Sequence, residues 1–221
     1  MKISYRLVII IAVFVTCLIT ANVIAVKVIG LGPAELPAAI FVFPLSYIFG
    51  DVLTEVYGYR VARKVIWLGF ACNLVFVFFA WVGQVLPPAG FWQGQAAYKS
   101  ILGYTPRLLA ASFCGYLAGE FANSFILSRM KVLTKGRWLW SRTIGSTVVG
   151  QGLDTAIFIT LAFAGTGADV PSMIGWHWVS KVFIEAVCTP ATYAIVNWLK
   201  QKEGVDTYDY QTRYNPFAVS G

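Results

Sequence analysis

The chain has 221 residues, of which 58% are hydrophobic and only 12% are charged, and its formal net charge is +7. A soluble domain has about 25% charged residues because its surface must be largely polar, so this composition excludes an ordinary soluble fold. The basic residues stand in short clusters beside hydrophobic runs, a distribution that argues for a membrane protein and against nucleic acid as a partner.

About 20 apolar residues span the hydrocarbon core of a bilayer, and the apolar runs predict six transmembrane helices. The first run is longer than the core of a signal peptide and is interpreted as an uncleaved helix. Pro37, Pro106 and Pro171 suit first helical turns, with Thr105 as a cap. The aromatic segment 87–104 is predicted to form an interfacial lid or a short surface helix. The predicted helices lie near 6–29, 37–58, 64–86, 107–128, 143–165 and 173–199.

The distribution of basic residues predicts the orientation, because lysine and arginine collect in cytoplasmic loops. With both termini in the cytoplasm of a bacterium, the outer segments hold only Lys99 and Arg107. The cytoplasmic segments then hold Lys2, Arg6, Arg60, Arg63, Lys64, Arg129, Lys131, Lys135, Arg137, Arg142, Lys200, Lys202 and Arg213. The prediction is a multi-pass protein of the inner membrane, with a transmembrane domain at 1–202 and a cytoplasmic tail at 203–221.

Ionisable residues inside the predicted helices are the strongest pointer to function. Each costs at least about 2.5–3.5 kcal/mol at a helix centre unless it faces a partner or water. They are Lys27, Asp51, Glu55, Glu120, Asp154, Lys181 and Glu185. Spacings of three or four residues place polar pairs on one face of a helix. These pairs are Asp51 with Glu55, Glu120 with Asn123, Gln151 with Asp154, and Lys181 with Glu185. We predict that these faces, with Asn22 and Lys27, converge on one polar cavity, although any single pair could instead be a structural ion pair.

The sequence lacks the residue constellations of an enzyme. His177 is the only histidine and has no HExxH context, and neither a Walker A loop nor a GxSxG elbow is present. The stretch Gly150–Asp154 approaches the GxGD motif of intramembrane aspartyl proteases, but no Tyr-Asp partner exists in another helix. We therefore predict no enzymatic activity, no cofactor and no metal site.

Three blocks of the sequence are distinctive: DVLTEVYG at 51–58, RTIGST with GQGLDT between 142 and 155, and KVFIE with TPATY between 181 and 193. Together they resemble the queuosine precursor transporter family, also called the vitamin uptake transporter family. The resemblance covers essentially the whole chain. It implies uptake of 7-cyano-7-deazaguanine and 7-aminomethyl-7-deazaguanine for the synthesis of queuosine in transfer RNA. It also implies an all-α fold similar to the substrate-binding subunits of energy-coupling-factor transporters, working without their ATPase module.

A deazaguanine presents a ring N–H and an amine side by side, which one carboxylate can accept, while its carbonyl oxygen needs a donor. The predicted base-edge residues are Glu185 and Asp154 as acceptors, with Lys181, Gln151 and Asn123 as donors. Lys27 and Asn22 complete the predicted substrate site. Asp51, Glu55 and Glu120 are predicted to form an inner polar path or a proton-sensitive gate.

Several alternatives stay open at this stage. The chain could be a membrane-embedded binding subunit that needs a separate ATPase, or a scaffold. Transport could be coupled to protons or another cation, or could be facilitated entry followed by metabolic trapping. The partners are the small deazaguanine and the lipid bilayer, and a homodimer is left open.

Overall fold

The computed structural model describes residues 4–31, 34–103, 106–167 and 169–218. Thr105, Lys2 and residues 219–221, which figure in the predictions above, lie outside these ranges. The α-helices of the described chain are α1 (Tyr5–Ile24), α2 (Phe43–Tyr57), α3 (Tyr59–Val85), α4 (Gln95–Leu102), α5 (Pro106–Leu133), α6 (Leu139–Phe163) and α7 (Val170–Glu203). Between α1 and α2 lie strands β1 (Val28–Leu31) and β2 (Ala34–Pro37) and a 3₁₀ helix (Ala38–Phe41).

Four of these helices, α1, α3, α6 and α7, are long and apolar enough to cross a membrane. Large apolar side chains such as Phe79, Trp81, Phe183 and Val187 lie exposed on their outer faces. Lipid is the solvent that suits such faces, because the helices satisfy their own backbone hydrogen bonds. By these features the chain is a multi-pass membrane protein.

The segment between α1 and α2 differs from the prediction. The α-helix expected at 37–58 begins only at Phe43. β1 and β2 pair antiparallel, and Pro37 ends β2 and caps the short 3₁₀ helix, so it does not lie in the first turn of α2. Lys27, expected inside the first helix, lies beyond its end at Ile24 and is exposed. A short apolar run is compatible with a strand as well as with a helix, so an apolar run alone does not distinguish the two.

Other local predictions are confirmed. α5 begins at Pro106, and Pro171 lies in the first turn of α7. The short helix expected in 87–104 is α4, which buries none of its residues.

The bundle has two distinct ends. At one end, called the tail end because residues 204–218 lie there, are the start of α1, the end of α7, Gly58 between α2 and α3, and the connection from α5 to α6. At this end Arg6 of α1 forms an ion pair with Glu203 of α7, at 3.0 Å. At the hairpin end lie β1 and β2, α4 and the connection from α6 to α7, where Arg107 donates hydrogen bonds to the carbonyls of Leu161 and Ala164. Successive long helices therefore run in opposite directions.

α2 occupies the centre of the bundle. It contacts α1, α3, α5 and α7, and residues 46–57 are almost entirely buried. The apolar core formed with α1 and α7 lies near the tail end and includes Phe14, Val52 and Leu199. The polar residues of α2 are thus shielded from lipid by neighbouring helices.

Residues 204–218, here called the tail, pack across the tail end of the bundle. The Asp209 carboxylate is buried and accepts hydrogen bonds from the Tyr59 backbone N–H (2.9 Å) and the Ser128 hydroxyl (2.7 Å). Gly58 has a φ of +85°, and a side chain there would approach Thr207 to 2.7 Å. The absence of a side chain at Gly58 therefore lets the tail lie against the α2–α3 junction.

Candidate functional site

A cavity of about 470 Å³ lies between the six long helices, in the half of the bundle nearer the hairpin end. Its volume falls within the range of small-molecule sites, about 300–1,000 Å³. One chain supplies the whole lining. The lining residues are Leu18, Ala21, Asn22, Ala25, Pro37, Ser46, Tyr47, Asn73, Ser112, Tyr116, Glu120, Gln151, Asp154, Phe158, Ile159, Phe163, Met173, His177 and Lys181.

Close packing of α5 on α6 brings Asp154 to the cavity. A side chain at Gly119 would come within 2.6 Å of the Asp154 Cβ, and one at Gly115 within 2.7 Å of its Oδ1. On α6, a side chain at Gly150 would come within 2.7 Å of the Asn123 Cβ. Small residues at these crossing points let two helices approach closely, as in other membrane proteins.

An ion pair in the lining of the cavity joins α6 to α7. The Lys181 ammonium lies 2.6 Å from the Asp154 carboxylate, and both side chains are largely shielded. Asp154 was predicted as an acceptor for the base and Lys181 as a donor, so the ion pair joins two predicted site residues to each other. Asp154 thereby fixes the position of Lys181, whose ammonium carries three N–H donors.

Glu120 lines the same cavity from α5. It lies against Gly50 of α2, where a side chain would come within 3.5 Å of the Glu120 Oε2. No described residue donates a hydrogen bond to its carboxylate, although Asp154 and Lys181 lie within electrostatic range. The sequence assigned Glu120 to an inner path, whereas the structure places it among the lining residues with acceptor capacity to spare.

The cavity also contains residues that sequence reasoning did not assign to the site. Tyr116, Phe158 and His177 line it, and Tyr116 donates a hydrogen bond to the Ile66 carbonyl at 3.1 Å. Each lies four residues from a polar lining residue, respectively Glu120, Asp154 and Lys181. That spacing puts aromatic and charged groups on one helical face, so the same periodicity could have identified them.

The remaining predicted residues divide between the cavity and its surroundings. Gln151 and Asn22 line the cavity, but Glu185, Asn123 and Lys27 are not among its lining residues. Asn123 donates a hydrogen bond of 2.9 Å to Asp51, which is itself outside the lining. Glu185 is completely buried one turn along α7 from Lys181.

Glu55 lies in a separate ionic cluster nearer the tail end. Its Oε1 lies 2.8 Å from both the Arg142 guanidinium and the Lys200 ammonium, and 3.6 Å from the Lys131 ammonium. These four residues are called the Glu55 cluster. Asp206 of the tail forms ion pairs with Lys131 and Lys200. Partial burial acts to raise the pKa of Asp206, but hydrogen bonds from these two lysines lower it below its ordinary value.

Comparison with known proteins agrees with a membrane protein that has a cavity for a small molecule. The family model described as "Putative vitamin uptake transporter" matches residues 37–195, which is most of the chain. The chain belongs to this family. It is accordingly a transport protein and not an enzyme, as predicted.

Two relatives of this transporter have names that specify a substrate. "Probable queuosine precursor transporter" of Bacillus subtilis is 28% identical over 191 residues, covering 84% of this chain and 82% of the relative. "Queuosine precursor transporter" of Escherichia coli is 26% identical over 159 residues, covering 72% and 67%. No solved structure matches the transporter, so similarity to energy-coupling-factor subunits stays a prediction.

Proposed function

We propose that this transporter carries 7-cyano-7-deazaguanine and 7-aminomethyl-7-deazaguanine into the cell. The names of the relatives support queuosine precursors as the substrate class. The observation that carries the proposal is a cavity lined both by Glu120, whose carboxylate receives no hydrogen bond from any described residue, and by a lysine already held by Asp154. This combination offers an acceptor and a donor to one flat polar ligand.

The edge of a deazaguanine matches these groups. Glu120 accepts the ring N–H and the exocyclic amine, and Lys181 donates to the neighbouring carbonyl oxygen. Gln151 and Asn22 supply further amide contacts. The aromatic side chains of Tyr116 and Phe158 offer apolar surface for the ring faces.

The predicted residues outside the lining have roles at other points along the route of the substrate through the helix bundle. Lys27, exposed near the hairpin, attracts substrate to the outer mouth. Glu185 and Asn123 contact the base after it moves toward the tail end. Asp51 and Glu55 lie on that inner path, and the Glu55 cluster with the tail closes it in the described conformation.

The proposed topology has six spans in the bacterial inner membrane, with both termini in the cytoplasm. α2 and α5 complete the four apolar spans, and the basic residues beside the tail end support this orientation. Residues 1–202 form the transport domain and residues 203–221 the cytoplasmic tail. The arrangement resembles an energy-coupling-factor substrate-binding subunit but works without its ATPase.

Uptake of labelled 7-cyano-7-deazaguanine into liposomes that contain only this protein tests the proposal. We expect uptake without ATP, and competition by unlabelled 7-deazaguanine but not by 7-deazaadenine, whose edge presents a different donor and acceptor pattern. Uptake that requires ATP and added subunits would favour the alternative of a binding subunit. Failure to bind the base would contradict the proposal itself.

A further inference from the structure

We propose that Asp51 and Glu185 bind a coupling cation, a proton or Na⁺, between the substrate cavity and the Glu55 cluster. The inward movement of this cation would drive accumulation of the substrate. The inference rests on the proposed function and adds to it an energy source and a second binding site.

Helical spacing puts the two carboxylates at one level. On α2, Asp51 follows the lining residue Tyr47 by four residues, and on α7, Glu185 follows the lining residue Lys181 by four. Four residues rise about 6 Å along a helix and return to nearly the same face. α2 and α7 pack directly against each other. Both carboxylates therefore lie about one turn beyond the cavity, toward the tail end.

Both carboxylates are buried with unmet hydrogen-bond capacity. Glu185 is 0% exposed and Asp51 is 1% exposed. Within the described chain, neither oxygen of Glu185 nor Oδ2 of Asp51 has a hydrogen-bond partner, while Asn123 donates to Oδ1 of Asp51. An isolated buried carboxylate costs several kcal/mol unless a positive charge or donors compensate it. A bound proton or cation supplies that compensation.

Amide oxygens of α5 and α6 add to these acceptors. Asn123, which donates to Asp51, leaves its Oδ1 without a partner among the residues that the structure describes, and Gln151 Oε1 also lacks one there. Carboxylate and amide oxygens are the ligands that hard cations prefer. These atoms suit a proton or Na⁺ and not an anion.

The surrounding charges do not neutralise the pair. Asp51 lies within electrostatic range of Glu185, Glu120 and Glu55, which are all acidic. Nearby basic groups are engaged elsewhere, since Lys181 pairs with Asp154. The basic groups that pair with Glu55 are Lys131, Arg142 and Lys200. The other titratable neighbours of Glu185 are Tyr47 of α2 and Cys188 of α7, and neither brings a positive charge.

The test uses liposomes with the intact protein, labelled 7-cyano-7-deazaguanine and a clamped membrane potential. An inward proton gradient and an inward Na⁺ gradient are imposed separately. We expect one of them to drive the internal concentration above the external one; one proton per substrate and one pH unit allow at most about tenfold accumulation. Uptake that only equilibrates under both gradients overturns the coupling proposal but leaves the proposed function standing. No uptake under any condition contradicts the proposed function.

Matched variants locate the cation site. Glu185→Gln and Asp51→Asn keep the side-chain shape and remove the charge, so each should abolish gradient-driven accumulation of the substrate above its external concentration. Asp169→Asn is the control, because Asp169 is an exposed cap on the same helix, α7. Gradient-driven accumulation that persists in both buried variants excludes these residues. If one variant does not fold, the other and the wild-type gradient test decide the question.

Discussion

Glu120 and Asp154 are both carboxylates of the cavity, but their neighbours differ. Asp154 forms an ion pair with Lys181 at 2.6 Å, whereas no described residue donates to Glu120. A carboxylate that already neutralises a lysine has less to offer a ligand than one that is unpaired. At the scale of the single residue, we therefore propose Glu120 as the main acceptor for the base, with Asp154 positioning its donor.

Replacing Glu120 by Gln tests this division of roles. We expect the affinity for 7-cyano-7-deazaguanine to fall about 10- to 100-fold, because a charged acceptor contributes about 1.5–3 kcal/mol. Discrimination against 7-deazaadenine should fall as well. Equilibrium binding to purified protein measures both, with Asp169→Asn as the control. Unchanged affinity in the Glu120→Gln variant would remove this residue from the site.

The sequence predicts the faces of the helices well but their depth poorly. The three- and four-residue spacings correctly grouped the polar residues of α5, α6 and α7 on inward faces. They could not tell Glu120, which lines the cavity, from Glu185, which lies one turn beyond the lining. That difference depends on the tilt of the helices and on their relative positions along the bundle axis. The sequence of a single helix does not determine either of these. Lys27 was misplaced because its apolar surroundings resemble a continuing helix.

At the scale of elements, the pairing of α5 with α6 determines the shape of the cavity. Gly115, Gly119 and Gly150 bring the two backbones together, and Asp154 projects from that contact. The hairpin of β1 and β2 was not predicted, because a hydropathy pattern does not reveal which backbone groups pair.

Substituting Gly119 by Ala should loosen this contact. The added methyl group would approach the Gly150 carbonyl oxygen to 2.9 Å, and overpacking of this kind costs about 1–3 kcal/mol. We expect the unfolding temperature in detergent to fall, at about 2–4 °C per kcal/mol. Gly175→Ala on α7 is the matched control, because nothing lies within 4 Å of its added carbon. Equal unfolding temperatures for the two variants would contradict the packing account.

At the scale of the whole molecule, three polar layers follow one another from the hairpin end to the tail end. The cavity comes first, the pair of Asp51 and Glu185 second, and the Glu55 cluster third. The tail covers the third layer through Asp206 and Asp209. The tail end is therefore the closed end of the described conformation. Under the proposed function, we expect that release of substrate there requires the cluster and the tail to separate.

The docking of the tail can be tested at Asp209. Asp209→Ala leaves the buried Tyr59 N–H and the Ser128 hydroxyl without that acceptor, at about 1–3 kcal/mol for each group. We expect faster cleavage by trypsin after Arg213, followed by mass spectrometry. Gln211→Ala is the control, because Gln211 is exposed in the same segment. Equal cleavage rates for both variants would mean that Asp209 does not hold the tail in place.

The location of the substrate in the cavity is the central claim, and a bulky residue in the lining tests it most directly. Ser112 lines the cavity from α5, whereas Cys114 is exposed on the same helix. Equilibrium binding of 7-cyano-7-deazaguanine should be lost in Ser112→Trp and retained in Cys114→Trp, with both proteins folded. Undiminished binding by a folded Ser112→Trp variant would contradict the account.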